Sequence, residues 1–352
     1  MKTSCVIAFC LAIAGMARAY PRPLEGTENI PKMMAAAAVV CKGEVVAATK
    51  PQSTAKLPST SGTAKVRLDR CFKGSPPREI LVAIDSYIPP GGGPVFVLRQ
   101  GDYQLLFLKG SGGRYQVIDQ WFGALQVSRK IAPAAGSGDP MLLLEQDLQA
   151  GLSDSNSDLV RDSIRMLGNM RTVRSTVELK ALLNSGDLVT QTYVWQALLR
   201  LQDYSVLPAV ESFMNSQPES PASLFLPRDI IFKMQGELCW EIGGIRNPAT
   251  LPYLERFAFS NKWCVRDHAL QALRQIGSAD SAPVYLKALD DPNPDNAFSA
   301  MQGLLSLRYV NSKTNWVPTW TEFDKDPKRY AAQTREWWFA EGNKKPAISV
   351  SH

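Results

Sequence analysis

The sequence predicts a two-domain chain, all-β and then all-α: a small antiparallel β-barrel followed by an α-solenoid of stacked helix pairs. Three observations carry this. Between residues 38 and 127, apolar and polar residues alternate in short runs separated by Gly and Pro. After residue 150 the apolar residues recur at helical spacing instead. The helical segments then come in pairs that repeat about every 30 residues. A length of 352 residues, 45% hydrophobic and 20% charged, suits two domains that each bury a core.

The chain opens with "MKTSCVIAFCLAIAGMARAY". Lys2 precedes an apolar run from Cys5 to Ala14, and Ala17-Arg18-Ala19 forms an A-x-A cleavage pattern. Residues 1–19 are therefore expected to be a signal peptide cleaved near Ala19/Tyr20, and the protein to be secreted or periplasmic. Cys10 follows Phe9, where a lipid-modified cysteine requires a small residue. The leading run is too short to span a bilayer, and no later stretch approaches ~20 apolar residues, so no transmembrane segment is expected.

Residues 20–34, "YPRPLEGTENIPKMM", are Pro-rich and read as an extended lead-in. The barrel is assigned to residues 35–130. "AVVCKGEVV" (38–46) starts it. "TAKVRLDRCF" (63–72) puts Ala64, Val66, Leu68 and Phe72 on one face and Lys65, Arg67 and Asp69 on the other. "EILVAI" (79–84), "VFVLR" (95–99), "YQLLFLKG" (103–110), "RYQVID" (114–119) and "GALQV" (123–127) complete the set. "VVCKGEVV", "AKVRLDRCFKGSPP" and "GDYQLLFLKGSGGRYQVID" together resemble the netrin-like module. That resemblance implies an OB-type barrel of the kind shared with tissue inhibitors of metalloproteinases. In those inhibitors an N-terminal cysteine chelates the catalytic zinc. Here the first cysteine after the expected cleavage is Cys41, some twenty residues in, so that inhibitory mechanism does not carry over.

The small-residue stretch "IAPAAGSGDP" marks a linker, assigned to 131–150. Residues 151–310 are read as the repeat domain. Leu159, Ile164 and Leu167 form one stripe; Val194, Ala197, Leu198 and Leu201 another. Ile231, Met234, Leu238 and Ile242 form a third, and Val265, Ala269, Ala272, Leu273 and Ile276 a fourth. Leu167-Gly168 and Leu201-Gln202 lie 34 residues apart, as do Ile242-Gly243 and Ile276-Gly277. Residues 216–228 interrupt the array as an insertion. "VRDHALQALRQIGSADSAPVYLKALDDPNPDNAFSAMQGLLSLR" resembles HEAT-like repeats, about five of them between 158 and 308. Residues 311–345 hold four tryptophans, with Tyr330, Thr334, Trp337 and Trp338 on one helical face. They are read as a cap sealing the last repeat. Residues 346–352 form a tail.

Four cysteines remain after cleavage, two early and two late. An oxidising compartment favours the disulfides Cys41–Cys71 and Cys239–Cys264. A hairpin centred near residue 56 sets the first pair opposite one another.

No catalytic constellation is legible. His268, beside Asp267, is the one interior histidine, and no G-x-S-x-G precedes it. Scattered cysteines do not make a zinc site. "DSNSDL" (154–159) and "DPNPDN" (291–296) offer alternating oxygens, but their sixth and twelfth positions fail the calcium-loop pattern. They are read as helix starts capped by Asp158 and Asp295. "PPGGGP" (89–94) lacks the Lys-Ser/Thr of a phosphate cradle. No cofactor, metal or specific nucleic acid is expected.

Charge is uneven. Residues 33–130 hold 13 basic and 6 acidic side chains, a balance of +7, whereas residues 131–352 hold 22 and 25, a balance of −3. The sequence thus offers two binding readings. A protein or peptide partner would sit on the concave face of the repeats. Alternatively, an anionic polymer would sit on the barrel at Lys65, Arg67, Arg70 and Lys73. An enzyme whose site is assembled from scattered residues is the third alternative.

Overall fold

The computed structural model describes residues 29–49, 52–53, 59–87, 98–119, 122–133, 138–184, 187–216, 230–308 and 316–342. The expected signal peptide, the Gly-rich loop 89–94, nearly all of the insertion 216–228 and the tail lie outside them. The chain forms two compact units that divide between Leu182 and Leu183.

The first unit is built on a barrel. Strands β1 (Val39–Ala48), β2 (Gln52–Ser53), β3 (Ser59–Lys73), β4 (Glu79–Tyr87), β5 (Tyr103–Ser111), β6 (Arg114–Val117) and β7 (Ala124–Gln126) form one sheet. Five of them close on themselves in the order β1-β3-β4-β6-β5, because β1 also pairs with β5. β2 extends the β1–β3 hairpin, and β7 adds to β5. The ladders are antiparallel except β4–β6, where the tight β5–β6 hairpin returns the chain parallel to β4. Gly112 and Gly113, both at positive φ, make that hairpin turn. The alternation read in the sequence fills the interior: Cys41, Val45, Ala64, Val66, Leu68, Ile80, Val82, Leu106 and Leu108 share one core. Of the expected strand 95–99 only Leu98 and Arg99 are described; Leu98 is buried in the same core.

Two helices cover the barrel's outside. The end of the expected extended lead-in is helical: α1 runs Ile30–Ala36, with Pro31 in its first turn and the Asn29 side chain accepting from Lys32 N at 3.0 Å. The expected linker is likewise more ordered than its composition suggests. Its second half is α2 (Pro140–Gly151), capped by Asp139, and Leu144 and Leu148 pack beside Phe72, Leu105 and Val127 of the barrel. Covered this way, β5 buries both faces, and Leu105, Leu106, Phe107 and Leu108 are all fully enclosed.

The helical region has one recurring unit: a long helix, a residue in the left-handed region, a 3-10 turn and a short helix. The pairs are α3 (Ser157–Asn169) with α4 (Thr176–Ala181), and α5 (Leu188–Arg200) with α6 (Leu207–Ser216). Next come α7 (Ile230–Ile245) with α8 (Leu251–Phe257), and α9 (Trp263–Ile276) with α10 (Ala282–Ala288). A fifth long helix, α11 (Pro294–Ser306), follows. The left-handed residues are Arg171, Gln202, Arg246 and Gly277, at steps of 31, 44 and 31 residues. The 44-residue step contains the expected insertion. Polar side chains restart the chain after the last three: Asp203, Asn247 and Ser278 each accept from the backbone two residues on, whereas Thr172, after Arg171, makes no such bond. The same device opens α3 and α11, so the caps are Asn156 and Asn293; Asp158 and Asp295 stand in the first turn, where their backbone N–H groups donate to those caps.

The Trp-rich segment forms α12 (Trp320–Phe323), α13 (Pro327–Trp337) and a π-helical turn, Trp338–Gly342. Phe323 is fully enclosed against Phe298 of α11, with ring centroids 5.2 Å apart. Thr334 and Trp338 are buried, and Tyr330 stacks toward Phe323. Burial of each such aromatic stabilises by roughly 2–3 kcal/mol.

Candidate functional site

The basic strand was the first candidate, and its cations are already committed. Lys65 lies 2.6 Å from Glu79, and Arg67 lies 2.5 Å from Glu44, whose other oxygen takes Arg129 at 2.9 Å. Hydrogen bonding from Arg129, then the charges of Arg129 and Arg67, hold the Glu44 carboxyl below its ordinary range. Arg70 is turned inward to Asp147, and its Nη1 also donates to Ala132 O at 2.7 Å. Lys73 Nζ donates to Met34 O and Ala35 O at 2.8 and 3.0 Å, on the carbonyl end of α1. Each of these four cations thus has a partner within the protein, while the module keeps its excess of basic over acidic side chains.

Asp147 on α2 was not singled out from the sequence. Its carboxylate lies 2.7 Å from Lys42 Nζ and 3.0 Å from Arg70, and it accepts from Ala132 N at 2.9 Å. Lys42 stands in the middle of β1 and is only 3% exposed. Burial lowers its ammonium below the ordinary lysine range, and Asp147 opposes that shift. The hint available was a lysine inside "VVCKGEVV", and Glu145 and Asp147 inside an apolar run. Glu145 is as buried as Asp147 and holds Thr172, Arg174 and Ser175, at 2.8, 2.7 and 2.7 Å. These groups fasten the helices to the barrel and to one another. Their burial keeps them from meeting a ligand.

The cysteines divide. Cys41 and Cys71 face each other across β1 and β3 and form a disulfide. Cys239 and Cys264 are not joined in a disulfide, contrary to the expected second bridge. Each belongs to the inward stripe of its own helix, α7 or α9, and the Cys264 sulfur is turned to Gln235 Oε1 at 3.8 Å. Burial raises the Cys239 thiol far above its usual value, which removes it as a nucleophile. His268 packs over Gly236, where an added Cβ would come 2.7 Å from its Nε2.

The second unit carries a row of accessible side chains along its long helices. On α7 the residues turned away from the core are Glu237, Trp240 and Glu241; Trp240 is 44% exposed. Bonds between neighbouring helices order the row. Gln196 of α5 donates to Glu237 at 3.1 Å, and Arg200 grips Glu241 with two bonds of 2.8 and 2.6 Å. Between α9 and α11, Ser299 donates to Asp267 at 2.8 Å and Arg274 to Gln302 at 2.6 Å. Asp295 follows on α11, its carboxyl raised by burial and then by the charges of Asp267 and Asp324. The row holds four carboxylates and two guanidinium groups, so its balance is acidic.

A separate cleft of about 660 Å³ lies within this unit, between the turn after α10 and the start of α13. Among the described residues no group of three or more His, Cys, Asp or Glu is placed to hold a metal, and no helix is long and apolar enough to cross a membrane.

Residues 232–304, from α7 to α11, match the HEAT repeats family. No curated protein sequence matches the chain. Among solved structures, the complex of CpcE and CpcF of phycocyanin lyase from Nostoc sp. PCC7120 is similar at 16% identity and a TM-score of 0.32, over 58% of this chain and 77% of that one. A likeness of that size says nothing of this chain's chemistry. The fold is thus a small β-barrel followed by an α-solenoid with HEAT repeats in its second half.

Proposed function

We propose that this chain is an exported, non-enzymatic interaction protein that holds a protein or peptide partner on the row of side chains along its long helices. The observation that carries this is Trp240, a large aromatic left accessible between Glu237 and Glu241, on the stretch that matches HEAT repeats. An accessible tryptophan beside Glu237, which accepts from the Gln196 amide where Glu241 takes the Arg200 guanidinium, suits a partner that offers an apolar side chain beside Arg or Lys. The Cys41–Cys71 disulfide supports export, since such bonds persist in oxidising compartments. The closed five-strand barrel with that staple supports reading residues 35–130 as a netrin-like module. The non-enzymatic part rests on the sequence, where no nucleophile, base and orienting group share a known spacing.

The test places a photoreactive phenylalanine at Trp240 in the full chain and recovers crosslinked partners from the exported fraction. A discrete partner is expected. Its binding should fall about 30-fold in Trp240→Ala, as for loss of a ~2 kcal/mol anchor. Unchanged binding in a Trp240→Ala/Glu237→Lys variant overturns the proposal.

A further inference from the structure

The cleft beside the last repeat has an apolar floor and a rim of three carboxylates, two ammonium groups and one guanidinium. Leu289, Pro292, Pro294, Ala297, Pro327 and Ala331 line its base. Its volume of about 660 Å³ lies in the range of sites that enclose a ligand or a short peptide. Three carboxylates stand on its rim, and each is occupied. Asp290 holds Arg335 at 2.9 Å, and Asp291 holds Arg266 with bonds of 2.6 and 2.9 Å. Asp326 caps α13 by accepting from Arg329 N at 3.2 Å. Arg335 is likewise spoken for, by Asp290 and by Leu286 O.

The two remaining rim charges are Lys325 and Lys328, both exposed, and neither forms an ion pair among the described residues. Glu322, which feels the charge of Lys325, has its carboxylate engaged by Thr319 N at 2.7 Å and Thr319 Oγ1 at 2.9 Å. At Asp290 and Asp291 a cationic ligand would have to break an existing guanidinium–carboxylate pair, which leaves Asp326, bonded to the Arg329 amide, as the one rim carboxylate without a cation among the described residues. A ligand carboxylate meets two uncommitted ammonium groups directly.

We propose that this cleft is a second recognition site, which takes an extended acidic peptide segment of a protein partner, with the ligand's apolar residues on the proline-lined floor and its carboxylates on Lys325 and Lys328. This site is independent of the row around Trp240, and its partner has the opposite charge.

The test presents the full chain with two hexapeptide libraries carrying a neutral dye, one with Glu or Asp and one with Lys or Arg, each with Pro or Leu at alternate positions. Retention of the acidic library is expected, weakening with salt and falling about tenfold in Lys325→Glu/Lys328→Glu. Lys325→Arg/Lys328→Arg should retain it, as should Trp240→Ala, which separates this site from the first. Thermal unfolding of each variant checks that the fold is kept; exposed lysines tolerate these changes. Equal retention of the basic library by the Trp240→Ala/Glu237→Lys chain, no retention of either library, or unchanged acidic retention in the Lys325→Glu/Lys328→Glu variant overturns the proposal.

Discussion

Asp147 sits between a buried lysine and a partly buried arginine, and magnitudes decide what it does. A buried ion pair contributes little net stability against a well-packed apolar pair, because the desolvation cost of both charges offsets their attraction. Removing one member is different, since it leaves the others buried without compensation. Lys42 lies 2.7 Å from Asp147 and Arg70 lies 3.0 Å away, so Asp147→Ala strands both. It should cost about 3–5 kcal/mol of stability in urea denaturation. Lys42→Met/Asp147→Leu, which removes the principal pair, should cost much less. A loss under about 1 kcal/mol in Asp147→Ala would show that water reaches these cations. The alternation of "VVCKGEVV" made the strand legible but not this contact, because alternation says which residues share a face and nothing about what covers the outer one. Lys42 lies on the outer face, and its cover comes 105 residues later.

At the scale of elements, the packing of α7 on α9 turns on small residues. A Cβ added at Gly243 would come within 2.8 Å of Ala272 Cα and 2.9 Å of its carbonyl oxygen, both backbone. In an isolated helix Gly→Ala gains about 1 kcal/mol. Here the helices must separate, and overpacking costs about 1–3 kcal/mol. Gly243→Ala is therefore expected to destabilise by about 1–2 kcal/mol, read as a lower denaturation midpoint; a rise would mean that the crossing yields freely. The sequence matched Ile242-Gly243 to Ile276-Gly277 at 34 residues, but Gly243 lies inside α7 and serves close helix approach, and the helix ends repeat at 31 residues, from Arg246 to Gly277. The left-handed residue that ends the helix is Arg246, which no composition rule singles out. The cysteines repeat the lesson. Cys41 and Cys71 were pairable on paper because strand register fixes who faces whom. Cys239 and Cys264 are both buried on their helices, but helical periodicity does not fix the direction of either sulfur.

For the whole molecule, the change of period from two to 3.6 located the two fold classes, and the structure keeps that order. Composition drew the boundary near residue 150, on the small residues of "IAPAAGSGDP". The compact units instead divide between Leu182 and Leu183. Side-chain chemistry explains the difference. α2 is tied to the barrel through Asp147, and Glu145 of the same helix binds Thr172, Arg174 and Ser175, drawing the turn before α4 into the same unit. Leu144 and Leu148 meanwhile cover Leu105 and Phe72. A chain cut at the compositional boundary loses all of this at once. It exposes an apolar barrel face and leaves Lys42 without its carboxylate. Fragment 20–182 should therefore fold as a soluble monomer with a cooperative transition. Fragment 20–139 should lose at least about 5 kcal/mol by area and charge together, enough to unfold a module of this size. Size exclusion and circular dichroism on the two fragments check this. If 20–139 folds as well as 20–182, α2 is an accessory to the barrel, and the boundary read from composition is the physical one.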